Sequence, residues 1–568
     1  MLTRRRFLDL TGRAVAGLGA AHVLGPMPLM AAQAAAVPKS VAVPPAALEV
    51  IDAFVKRHME EWGAPGLTLG VAGRDGVIAA RGYGLRDRES RTPVSPEDLF
   101  QIGSITKSFI GLCALQLHQE GKLDLERPVR EYLPWLRIES SYAPITPHHL
   151  LTHSSGLPNP LALPREPLWT GHAPGAHFHY CNLGYNILGL LLTQLDGRPL
   201  RDMVRARIFE PLGMSASEPV VSQAIRPRLA ASYMPLYDDR PFPRRGELTE
   251  APYLEMDNAA GCIASTPRDM AVYMQMLLNR GRGSKGVVVS PESFARFATA
   301  AVPAPAFGPT AGYGYGIAVA PTDGRLILRH TGGMVSFSSA MHLDMDAGLG
   351  VFASVNARLG GYRPNAVCAY ALSVLRAALA GEALPSPPEP DDPFRVPNAA
   401  DYAGTYTMPD GRALVVAAAG ERLEVVYGGR RAALERAAPD AFLTQHPDFI
   451  LDPLVFERES DAVTQVIHGG DWYAGTRYTG PKTFDAPAEW KAYAGQYRNE
   501  NPWEGSARVD LRQGRLWLGG AELVPLEPGL FRIGEEDHGP DRVRFETVAN
   551  GRALHAVFSG TEYLRVET

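Results

Sequence analysis

The feature that most constrains the fold of this chain is a segment that occurs twice in its C-terminal third. The sequence YAGTY at residues 402–406 recurs as YAGQY at residues 493–497. Each copy is followed by a glycine turn and a leucine and, further on, by a Phe-Glu pair, at 456–457 and 545–546. Short alternating segments between glycine turns are typical of antiparallel strands. The repeat therefore predicts two all-β units, each expected to be a small barrel.

Proline-rich stretches divide the 568-residue chain, which is long enough for two to four domains. Residues 381–397 hold six prolines among acidic residues, a composition that cannot build a helix or a central strand. Such a linker predicts that few core contacts cross it. A second, shorter stretch ends at Pro487. The predicted order is a first domain over 44–380, the linker, and β units over 398–480 and 487–568.

The first domain combines helical and strand patterns. Apolar residues recur with helical spacing over 46–62. A helix-rich middle separates strand patterns at the two ends of the domain, which are expected at 66–72, 77–83, 313–320, 326–329 and 349–355. Strands at both ends with helices between them indicate an α+β domain, with one sheet packed by helices and a helical insertion.

Residues 1–36 have the pattern of a twin-arginine signal peptide. Arg4 and Arg5 precede an apolar stretch over 14–30, and small residues at 32–36 offer a cleavage site. Glycines and prolines interrupt the stretch, which is too short to be a membrane anchor. We therefore expect an exported protein, periplasmic or secreted, with no stable membrane anchor after cleavage.

Charge, cysteine and histidine patterns narrow the possible partners. The net charge of −5 and the absence of a Lys/Arg stripe give no footprint for nucleic acid. Two histidine clusters lack the acidic residue and spacing of a metallo-hydrolase, so no metal is predicted. The cysteines are widely spaced in apolar surroundings, which favours buried free thiols over disulfides: Cys113, Cys181, Cys262 and Cys368.

The pattern S-x-x-K at Ser104 and Lys107 opens a strongly apolar helix that ends near Gly121. Residues i and i+3 share a helix face, so the lysine can reach the serine hydroxyl and act as its base. The helix N-terminus also favours negative charge. Taken alone, S-x-x-K is weak evidence for a catalytic serine, because a serine that only caps the N-terminus of a helix fits the same pattern.

Two further motifs follow in a fixed order. Tyr180-Cys181-Asn182 supplies Y-x-N, and His330-Thr331-Gly332-Gly333 follows a predicted strand. The order S-x-x-K, Y-x-N, H/K-x-G resembles that of the penicillin-recognising serine hydrolases. Within them the chain is similar to the class C β-lactamase-like group, which also holds D-aminopeptidases, DD-carboxypeptidases and esterases. The resemblance covers about residues 46–380 and is supported by further stretches at 145–157, 209–214 and 265–270.

The resemblance implies a fold and a set of roles. The fold would be a β-lactamase/transpeptidase-like catalytic domain, an antiparallel sheet with helices and a helical subdomain, followed by two lipocalin-like β-barrels as in D-aminopeptidases. Ser104 would attack the carbonyl, Lys107 would help to deprotonate it, and Tyr180 would pass the proton to the leaving group. Asn182 would hold the lysine or the substrate amide, and His330 would line the pocket. The backbone of Ser104, Gly332 and Gly333 would form the oxyanion and substrate-binding site.

One departure from the pattern changes the order of the functional hypotheses. β-Lactamases usually carry lysine at the position of His330, and a histidine offers a weaker contact that is switchable by pH. The first hypothesis is an acyl-enzyme hydrolase of amide bonds in small peptides, including D-residue peptides, that needs no cofactor. The alternatives are an esterase, a β-lactamase or DD-carboxypeptidase, a penicillin-binding sensor that acylates without turnover, and a wall-binding module. The oligomeric state stays open.

Overall fold

The computed structural model of the protein describes residues 43–160, 162–164 and 166–566. The predicted signal peptide at 1–36 lies outside the described residues. Within the described ranges, no helix is both long and apolar enough to cross a bilayer.

A nine-stranded antiparallel sheet forms the centre of the first domain, with the strand order β4-β5-β6-β7-β8-β9-β1-β2-β3. Leu67 of β1 lies opposite Val355 of β9, so the two ends of the domain meet in the middle of the sheet. The strands are β1 Gly66–Gly73, β2 Gly76–Asp87, β3 Thr92–Pro93, β4 Val302–Pro303, β5 Gly312–Tyr313, β6 Ala318–Thr322, β7 Arg325–Gly333, β8 Ser338–Asp344 and β9 Leu349–Val355.

Helices cover both faces of this sheet, which makes the α+β prediction correct. One apolar cluster lies between the sheet and the first and last helices. A larger cluster on the other face includes a central helix that is buried almost all round. The long helices are α1 Pro45–Trp62, α2 Thr106–Gln119, α3 Asn182–Asp196, α4 Pro267–Leu278 and α5 Asn365–Ala380. Shorter helices in the insertion lie at Val129–Tyr132, Pro147–Leu151, Leu200–Val204, Glu210–Leu212 and Pro291–Phe297.

Two details of the predicted strands are wrong. The strand expected over 313–320 is split into β5 and β6, because the chain turns at Gly316 with φ 86°. A Cβ there would lie 2.3 Å from the Lys107 carbonyl oxygen, so the turn is fixed by close backbone contact with α2. The H-T-G-G motif does not follow its strand but forms the last four residues of β7.

Each copy of the repeat forms a closed eight-stranded barrel, as predicted. The hydroxyl of Tyr406 donates to the Tyr402 carbonyl at 2.7 Å, and Tyr497 donates to the Tyr493 carbonyl at 2.8 Å. The first barrel comprises β10 Gly404–Thr407, β11 Ala413–Ala419, β12 Arg422–Tyr427, β13 Arg430–Ala438, β14 Ala441–Thr444, β15 Leu454–Glu459, β16 Ala462–His468 and β17 Asp471–Gly475. The second comprises β18 Gly495–Arg498, β19 Ser506–Arg512, β20 Arg515–Leu518, β21 Ala521–Glu527, β22 Leu530–Ile533, β23 Arg542–Ala549, β24 Arg552–Phe558 and β25 Thr561–Val566.

The proline-rich linker is docked, and more contacts cross it than its composition suggests. Arg244 of the first domain donates to Asp391 of the linker at 2.8 Å, and its backbone N–H donates to Glu435 of the first barrel at 2.6 Å. Asp391 also accepts a hydrogen bond from Arg436. Prolines prevent regular structure but do not prevent an extended segment from placing a carboxylate between two arginines.

Candidate active site

Ser104 and Lys107 lie together at the start of α2. Ser104 is in a single 3₁₀ turn, Gly103–Ile105, that runs directly into the helix. The Lys107 Nζ donates to the Ser104 Oγ at 3.1 Å, and both side chains are buried, Ser104 with 8% exposure. Gly103 takes φ 55°, and a Cβ on it would lie 2.7 Å from the backbone nitrogen of Gly333. This glycine lets the nucleophile turn approach the end of β7.

The remaining partners of Lys107 fix the direction of its amine. Nζ donates to the Asn182 Oδ1 at 2.8 Å and to the carbonyl oxygen of Ala260 at 2.7 Å. The side chain of Asn258 accepts from the backbone N–H groups of Ala260 and Gly261, both at 3.0 Å, and so holds that carbonyl in place. The sequence did not indicate Ala260, because a backbone carbonyl leaves no residue signature.

Tyr180 lies beside the same lysine, whose Nζ is 4.9 Å from the centroid of the tyrosine ring. The His153 ring also lies against that of Tyr180, with centroids 4.2 Å apart and the rings tilted by 34°. The His153 Nδ1 accepts the backbone N–H of Cys181 at 3.0 Å, which directly follows the tyrosine. Burial is the main cause that holds the pKa of His153 well below its ordinary value, so the ring is neutral. His153 was part of a sequence stretch that resembled the family, but no role was predicted for it.

Cys181 caps the helix that carries Asn182. Its Sγ accepts the N–H of Gly184 at 3.2 Å and donates to the Pro158 carbonyl at 3.1 Å. A serine hydroxyl would do the same, which explains why cysteine is tolerated at the middle of Y-x-N. The four cysteines are all buried and free.

His330 is buried, and both of its ring nitrogens have hydrogen-bond partners. Its Nδ1 bonds to the Thr331 carbonyl at 2.7 Å, which makes Nδ1 the donor, and its Nε2 then accepts the Tyr313 hydroxyl at 2.8 Å. Burial first, and the charge of Lys107 second, lower the pKa of His330 to about 3. His330 therefore stays neutral except at strongly acid pH, and outside that range the expectation of a contact switchable by pH is wrong.

Aromatic side chains enclose this part of the site. The ring of Phe307 lies 5.5 Å from that of His330, and the Tyr180 ring lies 6.4 Å from it, centroid to centroid. Phe178 lies 5.4 Å from Tyr313 in the same way. The side chains around the His330 ring are thus mostly aromatic.

The two glycines of the H-T-G-G motif lie against the turn that carries Ser104. On β7, Gly332 pairs with Ser339 and Gly333 pairs with Ser338. A Cβ on Gly332 would lie 1.9 Å from the carbonyl oxygen of Ile102, so only glycine permits this approach to the nucleophile turn. Their role in an oxyanion hole stays a prediction.

The histidines that follow Gly171 contact each other and a histidine of the second barrel through their rings, and they are not arranged as a metal centre. His177 stacks on His538 of the second barrel, with centroids 3.9 Å apart, and His172 lies 5.2 Å from His177. Across the described ranges, no group of three or more His, Cys, Asp or Glu side chains is arranged to hold a metal ion.

A buried serine–lysine pair at the start of a helix, against a helix-covered antiparallel sheet, defines a class of serine hydrolase. The β-lactamase family matches residues 51–371, which is more than half of the chain. The protein therefore belongs to the β-lactamase family.

Several known proteins are similar to the chain. Esterase EstB of Burkholderia gladioli is 30% identical over 243 residues, which cover 37% of this chain and 60% of that protein. The PbpX protein of Bacillus subtilis (strain 168) is 26% identical over 286 residues, or 47% of this chain and 65% of that one. The chain thus spans under two thirds of either relative. The octameric penicillin-binding protein homologue from Pyrococcus abyssi shares the fold, with a TM-score of 0.54 and 24% identity over 83% of this chain and 98% of that chain.

Proposed function

We propose that the protein is an exported serine hydrolase that cleaves amide bonds of small peptides, including those with D-residues, through an acyl-enzyme on Ser104. One observation carries the proposal: the Lys107 Nζ lies 3.1 Å from the Ser104 Oγ while Asn182 and Ala260 take two other hydrogen bonds of that nitrogen. A serine hydroxyl needs an adjacent base to become a nucleophile, and a buried lysine can serve as one.

The proposed reaction follows from these positions. In the reacting state the Lys107 amine is neutral: its two hydrogens stay on Asn182 and Ala260, and its lone pair takes the Ser104 hydroxyl proton as the Oγ bonds to the substrate carbonyl carbon. Backbone N–H groups of Ser104 and Gly333 would stabilise the negative charge on the carbonyl oxygen. The carbon–nitrogen bond then breaks as Tyr180 gives its hydroxyl proton to the leaving amine and takes up the proton that Lys107 received from Ser104. Water attacks the resulting ester while one of its protons moves through Tyr180 to Lys107. The carbon–Oγ bond then breaks, that proton returns to the Oγ, and the acid and free Ser104 are released.

The walls of the site favour a neutral substrate group next to the reacting carbonyl. His330 is uncharged because its pKa is about 3, and aromatic rings surround it. A substrate carboxylate would find no charge on the His330 ring, and Lys107 already bonds to Ser104, Asn182 and Ala260, so burial of the carboxylate would be unfavourable. Peptides and amides with apolar side chains therefore rank above β-lactams and above substrates with a C-terminal carboxylate.

Ester hydrolysis is the second candidate. The supporting observation is the 30% identity to an esterase, together with the same neutral aromatic wall. The chemistry would be unchanged except that an alcohol leaves in place of an amine. Turnover of p-nitrophenyl esters, D- and L-aminoacyl anilides and a cephalosporin separates these substrate classes.

The test of the nucleophile is Ser104→Ala in the full chain. It should abolish turnover and labelling by a fluorophosphonate, since the attacking oxygen is lost. Ser108→Ala is the matched control, because Ser108 lies one turn further along α2 and bonds to Ile105 and Tyr273 rather than to Lys107. Residual turnover above about a hundredth of wild type would show that another nucleophile acts. A single burst without a steady state would support the sensor alternative instead.

Export is tested separately from the chemistry. Replacement of Arg4 and Arg5 by lysine should leave the precursor in the cytoplasm, because the export machinery recognises the arginine pair as its signal. Unchanged delivery of this double variant to the periplasm would contradict the proposed signal.

A further inference from the structure

A segment of the second barrel lies directly on the connection between the helix Pro147–Leu151 and α3 of the first domain. We call this connection, which ends at Tyr180 and Cys181, the catalytic loop. The Trp169 Nε1 donates to the carbonyl oxygen of Pro540 at 2.7 Å, and His538 stacks on His177. A Cβ on Gly171 would lie 2.6 Å from the Pro540 Cα, so the two backbones are in close contact. The loop that ends at Tyr180 is therefore supported from outside its own domain.

Asp541 is the charged residue at this junction. Its Oδ1 accepts the backbone N–H of Asn159 at 3.1 Å and the Ser559 hydroxyl at 3.0 Å, and its Oδ2 lies 3.6 Å from the His179 Nε2. Asp541 as a residue is 8% exposed. One of these contacts is within the barrel and two are with the first domain, so the buried charge points to the catalytic loop.

Hydrogen bonds continue from Asp541 to the nucleophile. The Asn159 Oδ1 accepts the backbone N–H of Asn182 at 2.7 Å. The Asn182 Oδ1 in turn accepts from Lys107, which bonds to Ser104. Asp541 thus fixes Asn159, and Asn159 fixes Asn182. Asn182 in turn holds the Lys107 amine beside Ser104. The His179 contact adds a second path, because His179 directly precedes Tyr180 in the chain.

We infer that Asp541 is a positioning residue for the serine–lysine chemistry and acts through Asn159 on Asn182 and Lys107. The inference rests on the proposed function of Ser104. It means that the second barrel is part of the catalytic apparatus, although it contributes no group that touches the reacting atoms. A small displacement of a catalytic group is enough for a large loss of rate, of about a hundredfold for 1 Å.

The first barrel offers a matched control at the equivalent position. Asp452 stands four residues before Phe456, as Asp541 stands four residues before Phe545. It is also 8% exposed and also bonds across a domain boundary, to Arg508 of the second barrel at 2.8 Å. Asp452 therefore matches Asp541 in residue type, burial and loop, but leads away from the active site.

The experiment compares Asp541→Ala with Asp452→Ala in the full chain. Asp541→Ala should lower kcat and the rate of fluorophosphonate labelling about tenfold or more, with KM for the smallest substrate changed by less than about threefold. Asp452→Ala should leave these three quantities within about twofold. If Asp541→Ala does not fold, Asp541→Asn keeps the shape and should still lower kcat, since a neutral amide is a weaker acceptor for Asn159.

A second background tests the route. In Asn159→Ala, which removes the bond to Asn182, a further Asp541→Ala should reduce kcat by less than about twofold, because contacts in one network are not additive. A wild-type kcat in both Asp541 variants would overturn the inference, as would an equal loss of kcat in Asp452→Ala or fully multiplicative effects with Asn159→Ala. Each of these results would leave the Ser104→Ala test intact, whereas activity of Ser104→Ala would overturn the proposed function itself.

Discussion

The two barrels share one architecture but make different contacts. In both, the second tyrosine of the repeat bonds to the carbonyl of the first, and the Phe-Glu pair lies on the strand after an equivalent loop. The loop over 445–453 of the first barrel carries Asp452 against Arg508 of the second barrel. The loop over 534–541 of the second barrel carries Asp541 against the catalytic loop.

The difference shows that the repeated residues determine the barrel and the loop residues determine its partner. Tyr406 and Tyr497 are each buried in the core of their own barrel, where each donates its hydroxyl to the first tyrosine of the repeat. His538 and Pro540, by contrast, occur in one copy and make the contacts to the first domain. The barrel that is last in the sequence is consequently the one beside the active site.

The largest expected effect on kcat comes from a substitution in the first domain. The effects of substitutions in and beside the barrels are compared with it. Lys107→Ala should lower kcat at least about a hundredfold, because it removes the group that takes the proton of Ser104. Lys482→Ala, at an exposed lysine that follows the first barrel, should leave kcat unchanged. Steady-state kinetics on one amide substrate measure both, and comparable losses would mean that the chemistry is not confined to the first domain.

The next effect concerns acid stability. The pKa of His330 in the folded protein is about 3, below its ordinary value of 6.5, because of burial. The unfolded chain takes up a proton below pH 6.5 and the folded one does not, so stability is full above that pH and falls as the pH approaches 3. From pH 6.5 to 4.5 this residue should cost about 2 kcal/mol of unfolding free energy.

Calorimetry of wild type and His330→Gln at the two pH values tests this expectation. The variant should lose less stability on acidification, and the transition of the first domain should respond more than those of the barrels. Equal pH dependence in both proteins would mean that His330 is protonated in the folded state.

A smaller effect separates the two junctions. Gly171→Ala should lower kcat about tenfold, because the added Cβ would overlap the Pro540 backbone and displace the second barrel from the catalytic loop. Gly470→Ala is the same change at the junction of the two barrels, where the closest atom is the Asp510 carboxylate oxygen at 3.3 Å. It should leave kcat within about twofold. Equal kinetics for both variants would contradict the unequal roles of the two junctions.

The smallest effect tests the equivalence of the barrels. Tyr406→Phe and Tyr497→Phe should each lower the free energy of unfolding by about 1 kcal/mol, since each removes the short buried hydrogen bond within the repeat. Tyr497→Phe also removes two longer contacts, with Ala553 and Arg565, both at 3.4 Å. Neither should change kcat. Urea unfolding followed by circular dichroism measures the loss, with Tyr237→Phe at a half-exposed tyrosine as the control. A loss in one barrel alone would show that the repeat does not have the same structural role in both.

Much of the fold was predictable because it depends on local patterns. The helix over 46–62, the strands over 66–72 and 349–355 and the two barrels follow from periodicity and from the repeat. The split of 313–320 into two strands did not, because it depends on the contact of Gly316 with the Lys107 carbonyl. Nothing near residue 316 in the sequence indicates that a helix two hundred residues earlier will lie against it.

The same division holds for the active site and has the same physical reason. The sequence predicted which side chains would carry the chemistry, since the order of Ser104, Lys107, Tyr180 and Asn182 is a property of residue type and spacing. The tertiary structure decided what surrounds them: the Ala260 carbonyl, a neutral His330 with both nitrogens bonded, and Asp541 from the second barrel. A backbone acceptor, a pKa set by burial and a carboxylate from another domain all depend on what surrounds a residue in space.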